Sequence, residues 1–429
     1  MADITGTKRS QVVQLTGSDE ANAVDVVRES GSNLMMAKVK FPNSLRDAFS
    51  RMRSSDPVTL FDSKLDKNNQ SLFWNESLTG SGTSTWVQNE ASMKLSTTTA
   101  SGDKVIRQTK EYFSYQPAKD QFIVMTFLLG TGKVNVRKRV GYFDDNNGLF
   151  LEQDGTTIQL VRRTYVTGSA VDTVVTQANW NLDTLDGAGP TGYTIDFTKI
   201  QLFFIDFQWL GAGLVRFGFI IGEDVVYVHQ IFTSNTLSTV FMSTPSLPAR
   251  YEIENTGATA SSTDLYAVCV SIISEGATKP LRALNFYKDS GEKNVTKNIR
   301  TNLISIRLKS TNIRHQLIPF SVYGVIDVGD YSLFELVLNP TIGGTPSWSS
   351  VDSNSATEYD IAGTTVTGGT TIFSTITDGK VEEKSNEFPL SALKVLADIA
   401  GTSDILTLAI TPKKNNTQTA GGIGWKEPL

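Results

Sequence analysis

The feature that most constrains this chain is its punctuation. Short β-branched and aromatic segments follow one another, closed by Gly, Asn or Asp, and an apolar stripe of helical period is rare. Between residues 58 and 276, strand patterns fall at 58–62, 92–98, 103–108, 121–129, 134–142, 149–153, 157–164 and 171–176. They continue at 200–207, 214–221, 224–230, 249–255 and 264–274. So many strands without intervening helices call for two packed antiparallel sheets. The clearest turn is Asp144-Asp145-Asn146-Asn147-Gly148, where Asn-Gly suits a type I′ hairpin.

The flanks differ. Residues 12–17, 24–27 and 34–41 read as a small meander, too small for a core of its own. A short helix follows, with Leu45, Phe49 and Met52 on one face and Pro57 ending it. A linker is expected near 274–280. Beyond it, strands are expected at 303–309, 316–328, 332–339, 372–376 and 405–411, with a Gly/Ser/Thr-rich long loop or weak hairpin at an exposed tip over 341–370. A second helix is expected over 389–400, where Leu393, Leu396, Ala397 and Ala400 share a face and Gly401 stops it. The reading is an all-β, multi-domain chain. It comprises an N-terminal meander plus short helix (1–57), a central antiparallel sandwich of jelly-roll type (58–276), a C-terminal β domain (281–429) and few short helices.

Composition narrows the chemistry. Of 429 residues only one is Cys, which excludes an intrachain disulfide framework and a Cys-based zinc site, and two distant His leave little for a His-rich metal site or a His relay. A net charge of −5 gives no general attraction to nucleic acid. The apolar runs at 202–207 and 214–221 are interrupted by Asp206, Arg216 and Gly218, well short of the roughly 18 residues of a membrane helix. Residues 1–6 have neither the basic nor the apolar region of a secretory signal, so synthesis in a reducing cytoplasm is expected. No cofactor, metal, nucleic acid or membrane insertion is expected.

Individual residues follow the same logic. His229 has no nucleophile motif to serve and reads as a structural strand-end residue, as does His315 at a strand boundary. Cys269 reads as a small buried hydrophobe. Asp183 and Asp186, beside Trp180 in a polar loop, are the best carboxylate pair for glycan cleavage, yet loop carboxylates more often cap turns. The Asp144–Asn147 run could offer oxygens to Ca²⁺, but a hairpin explains it without a metal. Trp74, Trp86, Tyr115, Trp180 and Trp348 lie in loop-like stretches. Sugar rings stack on such side chains, with Trp348 in the polar tip the most exposed by this reading; the competing reading has most of them plugging the sandwich ends. Trp180, Asp183, Asp186 and Trp348 are therefore the candidate glycan or receptor contacts. Charge is also uneven. Residues 281–317 carry eight Lys/Arg against two acids, and residues 318–429 carry six against 13, a contrast that could meet across a subunit contact.

Several motifs together resemble a family of tailed-phage virion proteins. They are residues 108–117 (QTKEYFSYQP), 139–144 (RVGYFD) with Asn147-Gly148, and 177–181 (QANWN) with Asp183 and 185–187 (LDG). Residues 208–218 (QWLGAGLVRFG) and 247–253 (LPARYEI) complete the set, which spans roughly 58–280. The opening strand at 12–17 is similar to the start of tail fibre or baseplate proteins. The resemblance implies a lectin-like or laminin-G-like sandwich in a virion structural protein of tail fibre or baseplate type, and it carries no catalytic residues over to this chain. Its partners would be copies of itself, neighbouring virion proteins and a host surface glycan. A capsid-surface fibre or decoration protein and a glycan-binding or glycan-cleaving module are the rival readings.

Overall fold

The structure, a computed structural model, describes residues 25–28, 35–38, 57–275, 282–327, 331–384 and 393–428. Near the N-terminus, strands Asp25–Arg28 and Met35–Lys38 pair antiparallel, the hairpin half of the expected meander. Its expected first strand at 12–17 and the helix around Leu45–Met52 lie outside the described residues.

The central region is a sandwich of two antiparallel sheets. One has seven strands in the order Val171–Thr176, Thr157–Thr164, Gly148–Asp154, Val136–Phe143, Ala249–Asn255, Lys104–Thr109, Trp74–Thr79. The other has eight: Asp224–Phe232, Leu214–Ile221, Gln201–Phe207, Gln121–Leu128, Thr263–Ser274, Ser92–Thr97, Thr83–Val87, with Val58–Lys64 also pairing to Thr263–Ser274. Strand alternation builds the core. In Gln121–Leu128 every second residue is buried, so Ile123, Met125 and Phe127 point inward. They meet Phe203, Ile205, Phe217 and Phe219 of the same sheet and Val140, Leu151, Leu160 and Tyr251 of the other. Truncating one of these rings costs about 3–5 kcal/mol.

The C-terminal region is a second, smaller sandwich. Its five-stranded sheet runs Ala283–Asp289, Thr417–Pro428, Ile318–Ile326, Lys380–Lys384, with Lys293–Val295 also pairing to Thr417–Pro428. Its six-stranded sheet runs Ser349–Ser350, Thr357–Asp360, Thr301–Leu308, Ile405–Pro412, Ser332–Leu338, Thr370–Thr377. Val322, Ile423 and Trp425 from the first sheet pack with Ile304, Ile306, Leu406 and Leu408 from the second.

Two expectations are corrected here and a third is narrowed. Residues 393–400 are not helical: Val395 bridges Leu317 and Ala397 bridges Ser403, so tertiary pairing overrides the helical spacing. The 341–370 stretch is the weak-hairpin alternative and not a long loop: Thr341–Ile342 pairs antiparallel with Val366–Thr367. It carries short strands, and the buried Asp360 carboxylate accepts the backbone N–H groups of Ser347, Ala362 and Gly363. The hairpin after Phe143 exists, but Asn147 is not in the left-handed region that type I′ needs. Instead Asp144 Oδ1 accepts the N–H groups of Asn146 and Asn147, both at 2.8 Å.

The two sandwiches meet along a polar seam. Lys110 pairs with Asp404 at 3.3 Å, Arg314 with Asp144 at 3.0 Å, and Glu111 with Lys394. Gln316 donates to Ser114 Oγ at 2.9 Å, and the Ile399 N–H donates to Asn75 Oδ1 at 3.0 Å. The uneven charge noted above has a local explanation as well. Arg300 pairs with Glu335 at 2.8 Å and Arg307 with Glu358 at 2.9 Å, so part of the basic and acidic stretches meets inside the second sandwich.

Candidate functional site

The candidates from sequence separate on inspection. Trp180 is 4% exposed and stacks on Phe219 at 6.2 Å, inside the first core. It is no surface platform, because the loop that carries it folds under the sheet end. The backbone N–H of Asn181 donates to His229 Nδ1, and the Leu182 and Asp183 N–H groups donate to the Val228 carbonyl. His229 thus serves as a buried acceptor, and burial lowers its pKa. Asp183 is buried too. Its Oδ1 accepts the Leu185 N–H, and its Oδ2 accepts the Thr191 N–H and hydroxyl at 2.9 and 2.7 Å. Asp186 accepts the Thr184 hydroxyl and the Ala188 N–H, and these bonds lower its pKa. Both carboxylates shape their loop. Trp348 is half-buried, with the Arg307 guanidinium 4.0 Å from its ring centroid, so one ring face is occupied. These four residues form no joint surface. Trp180 and the aspartates belong to the first sandwich and Trp348 to the second.

A second constellation lies on the outer face of the seven-stranded sheet. Strand register places Glu252 beside Arg139, Arg139 beside Glu152, and Glu152 beside Gln159. Arg139 donates to Glu152 at 2.5 Å and to Glu252 at 2.7 Å. Arg250 reaches the other Glu252 oxygen at 2.7 Å, and Lys104 stands 3.1 Å away. Burial pushes the Glu252 carboxyl up, but Arg250, Arg139 and Lys104 together outweigh it and hold the group well below the usual carboxylate range. A carboxylate so held is a poor general acid near neutrality.

The third constellation was not found from sequence. In the five-stranded sheet of the second sandwich, Tyr287 pairs with Gly424 and Asp289 with Gly422, while Gly422 pairs with Tyr323 and Gly424 with Ser321. These positions share the outer face. The intervening Phe286, Ile423, Trp425 and Val322 face the core. The two glycines leave a floor without side chains. A Cβ on Gly422 would lie 2.3 Å from Tyr323 Cζ, and one on Gly424 would lie 2.8 Å from a Tyr287 ring carbon. Both rings therefore rest against bare backbone. A bulge at 319–321 brings Phe320 in edge-on, 5.3 Å from Tyr287 at 88°. Tyr287 is 56% exposed. Burial raises the Tyr323 pKa, with Asp289 and Tyr287 adding to it. Asn285, Asp289 and Lys426 are exposed around the rings. The arrangement offers apolar ring surface bordered by hydrogen-bonding groups. The signal in the sequence was Gly422 and Gly424 alternating before Trp425, a stretch where no strand was expected.

Among the described residues, no group of three His, Cys, Asp or Glu is placed to hold a metal ion, and no helix is long and apolar enough to cross a membrane.

No protein-family model and no curated protein matches the chain. Solved structures do. The chain is similar to the CBM2 module of an evolved Dit protein of Lactobacillus casei BL23 phage J-1, at 11% identity and TM-score 0.36, covering 52% of this chain and 99% of that one. It is similar to a legume lectin-like domain from Entamoeba histolytica at 8% identity and TM-score 0.32, covering 50% and 97%. A protein of unknown function from Shewanella oneidensis MR-1 matches at 7% identity and TM-score 0.35, covering 56% and 94%. Likeness at this level carries no argument about function.

Proposed function

We propose that this chain is a non-catalytic structural subunit of a tailed-phage virion, of tail fibre or baseplate type, whose second sandwich contacts host glycan. The glycan contact rests on one observation: the Tyr287, Tyr323 and Phe320 rings on a glycine floor, bordered by Asn285, Asp289 and Lys426. Aromatic faces take the apolar side of a sugar ring, and the polar border takes its hydroxyls. The particle assignment rests on the motif resemblance across 58–280. In that reading the partners are copies of this chain and neighbouring virion proteins. The non-catalytic reading is supported by the carboxylates themselves: Asp183 and Asp186 cap turns, and Glu152 and Glu252 are bound by arginines.

Two measurements test this. An array of bacterial surface glycans should give binding that Tyr287→Ala weakens tenfold or more; binding unchanged by that substitution would sink the glycan contact. Cryo-microscopy of particles from a phage that encodes the chain should place it in the tail. Density on a capsid vertex would make it a head decoration protein instead.

A further inference from the structure

Lys138 stands where its strand calls for an apolar side chain. In Val136–Phe143, Lys138 pairs with Ile253 and shares the inward face with Val136, Val140 and Tyr142. It is 1% exposed. Its Nζ donates to the Leu129 carbonyl, which leaves two of the three ammonium protons for another acceptor.

Beside it is a cleft of about 290 Å³ at the mouth of the first sandwich, lined by Leu129, Lys133, Lys138, Thr263, Asp264 and Tyr266 among others. That is near the lower end of small-molecule sites, roughly 300–1,000 Å³. Its charge is predominantly positive, two lysines to one aspartate. Lys133 is held at the rim by the Ser261 carbonyl and hydroxyl and the Ser262 carbonyl, at 2.7–3.0 Å. Asp264, the acid in the lining, is already engaged by Lys94 at 3.1 Å and by the Ser96 hydroxyl at 2.6 Å. Among the described residues neither lysine makes an ion pair within 4 Å, and both border one small cavity with Asp264.

We propose that this cleft binds an acidic sugar of the hexuronic acid class, with Lys138 as the cation that takes its carboxylate. The Thr263 hydroxyl supplies a partner for sugar hydroxyls, and Tyr266 gives one wall an aromatic surface. Burial desolvates the amine and pushes its pKa down to about 8, with Asp264 raising it and Lys133 lowering it. A bound carboxylate reverses that penalty. The charged and titratable groups facing the amine are Lys133, Asp264 and Tyr266, with Lys94 behind Asp264. The cleft lies in the first sandwich and does not depend on the Tyr287 surface.

Calorimetric titration of the full chain with glucuronate, glucose and sulfate at pH 7 tests the assignment. Glucuronate should bind, glucose and sulfate at least tenfold more weakly. Lys138→Met should lose tenfold or more, and Tyr287→Ala should change nothing. Affinity should fall as pH rises from 7 to 9.5. Absence of glucuronate binding, equal binding by Lys138→Met, or sulfate or glucose binding as tightly as glucuronate each overturns it. Should Lys138→Met fail to fold, the Lys138 ¹³Cε resonance of the wild-type chain decides. Its titration midpoint should move up with glucuronate present, and an unmoved midpoint overturns the proposal.

Discussion

The Tyr287 ring lies across Gly424, so close that a Cβ on that glycine would come within 2.8 Å of the ring. The aromatic surface therefore depends on what is missing beneath it. Gly424→Val should push the Tyr287 ring off the sheet. Glycan binding should fall tenfold or more, comparable to Tyr287→Ala, while the far-ultraviolet circular dichroism stays that of a β protein. Full binding by the valine variant would show that the ring position is irrelevant.

The tryptophans should divide by burial. Trp180→Ala removes a ring from the first core and should cost about 3–5 kcal/mol in urea unfolding. Trp348→Ala loses a cation–π contact with Arg307 and should cost about 0.5–1 kcal/mol. Equal losses would contradict the placement of the two rings.

Glu252 makes stability depend on acid. Its folded-state pKa is lowered, so its contribution is complete above the ordinary value of 4.5 and drains away as pH falls below that. Thermal midpoints should drop between pH 5 and 3. Glu252→Gln should flatten that slope and cost about 3–5 kcal/mol at pH 7, because Arg139 and Arg250 lose a buried counter-charge. An unchanged pH slope in the variant would assign the acid sensitivity elsewhere.

The seam between the sandwiches should respond to charge reversal. Lys394→Glu places two acids together at Glu111 and should cost about 1.5–3 kcal/mol. Adding Glu111→Lys should recover most of that loss in a double-mutant cycle. Failure of the second change to rescue the first would mean that the pair does not couple.

Much of the first sandwich was legible in the sequence. Val171–Thr176, Leu214–Ile221 and Ala249–Asn255 have the bounds that their turns suggest. Two of its strands were not seen. Trp74–Thr79 and Thr83–Val87 are short, polar and half-exposed edge strands whose composition matches a loop. The last strand, Thr417–Pro428, was missed because three glycines hide its alternation, and two of them, Gly422 and Gly424, prepare the aromatic face. Residues 393–400 kept a helical spacing, but Leu317 and Ser403 offered bridge partners that no local pattern announces. The candidate site was legible only as residue types. Whether a loop tryptophan faces water depends on where its loop folds, and for Trp180 that was under Phe219.

The seam of Lys110, Glu111 and Asp144 with Asp404, Lys394 and Arg314 also bears on avidity. On the proposed reading, a long polysaccharide caught by one sandwich would already be near the other, so its second contact would form at a raised local concentration. Loosening the seam would then weaken the grip on polymers and leave short fragments bound as before.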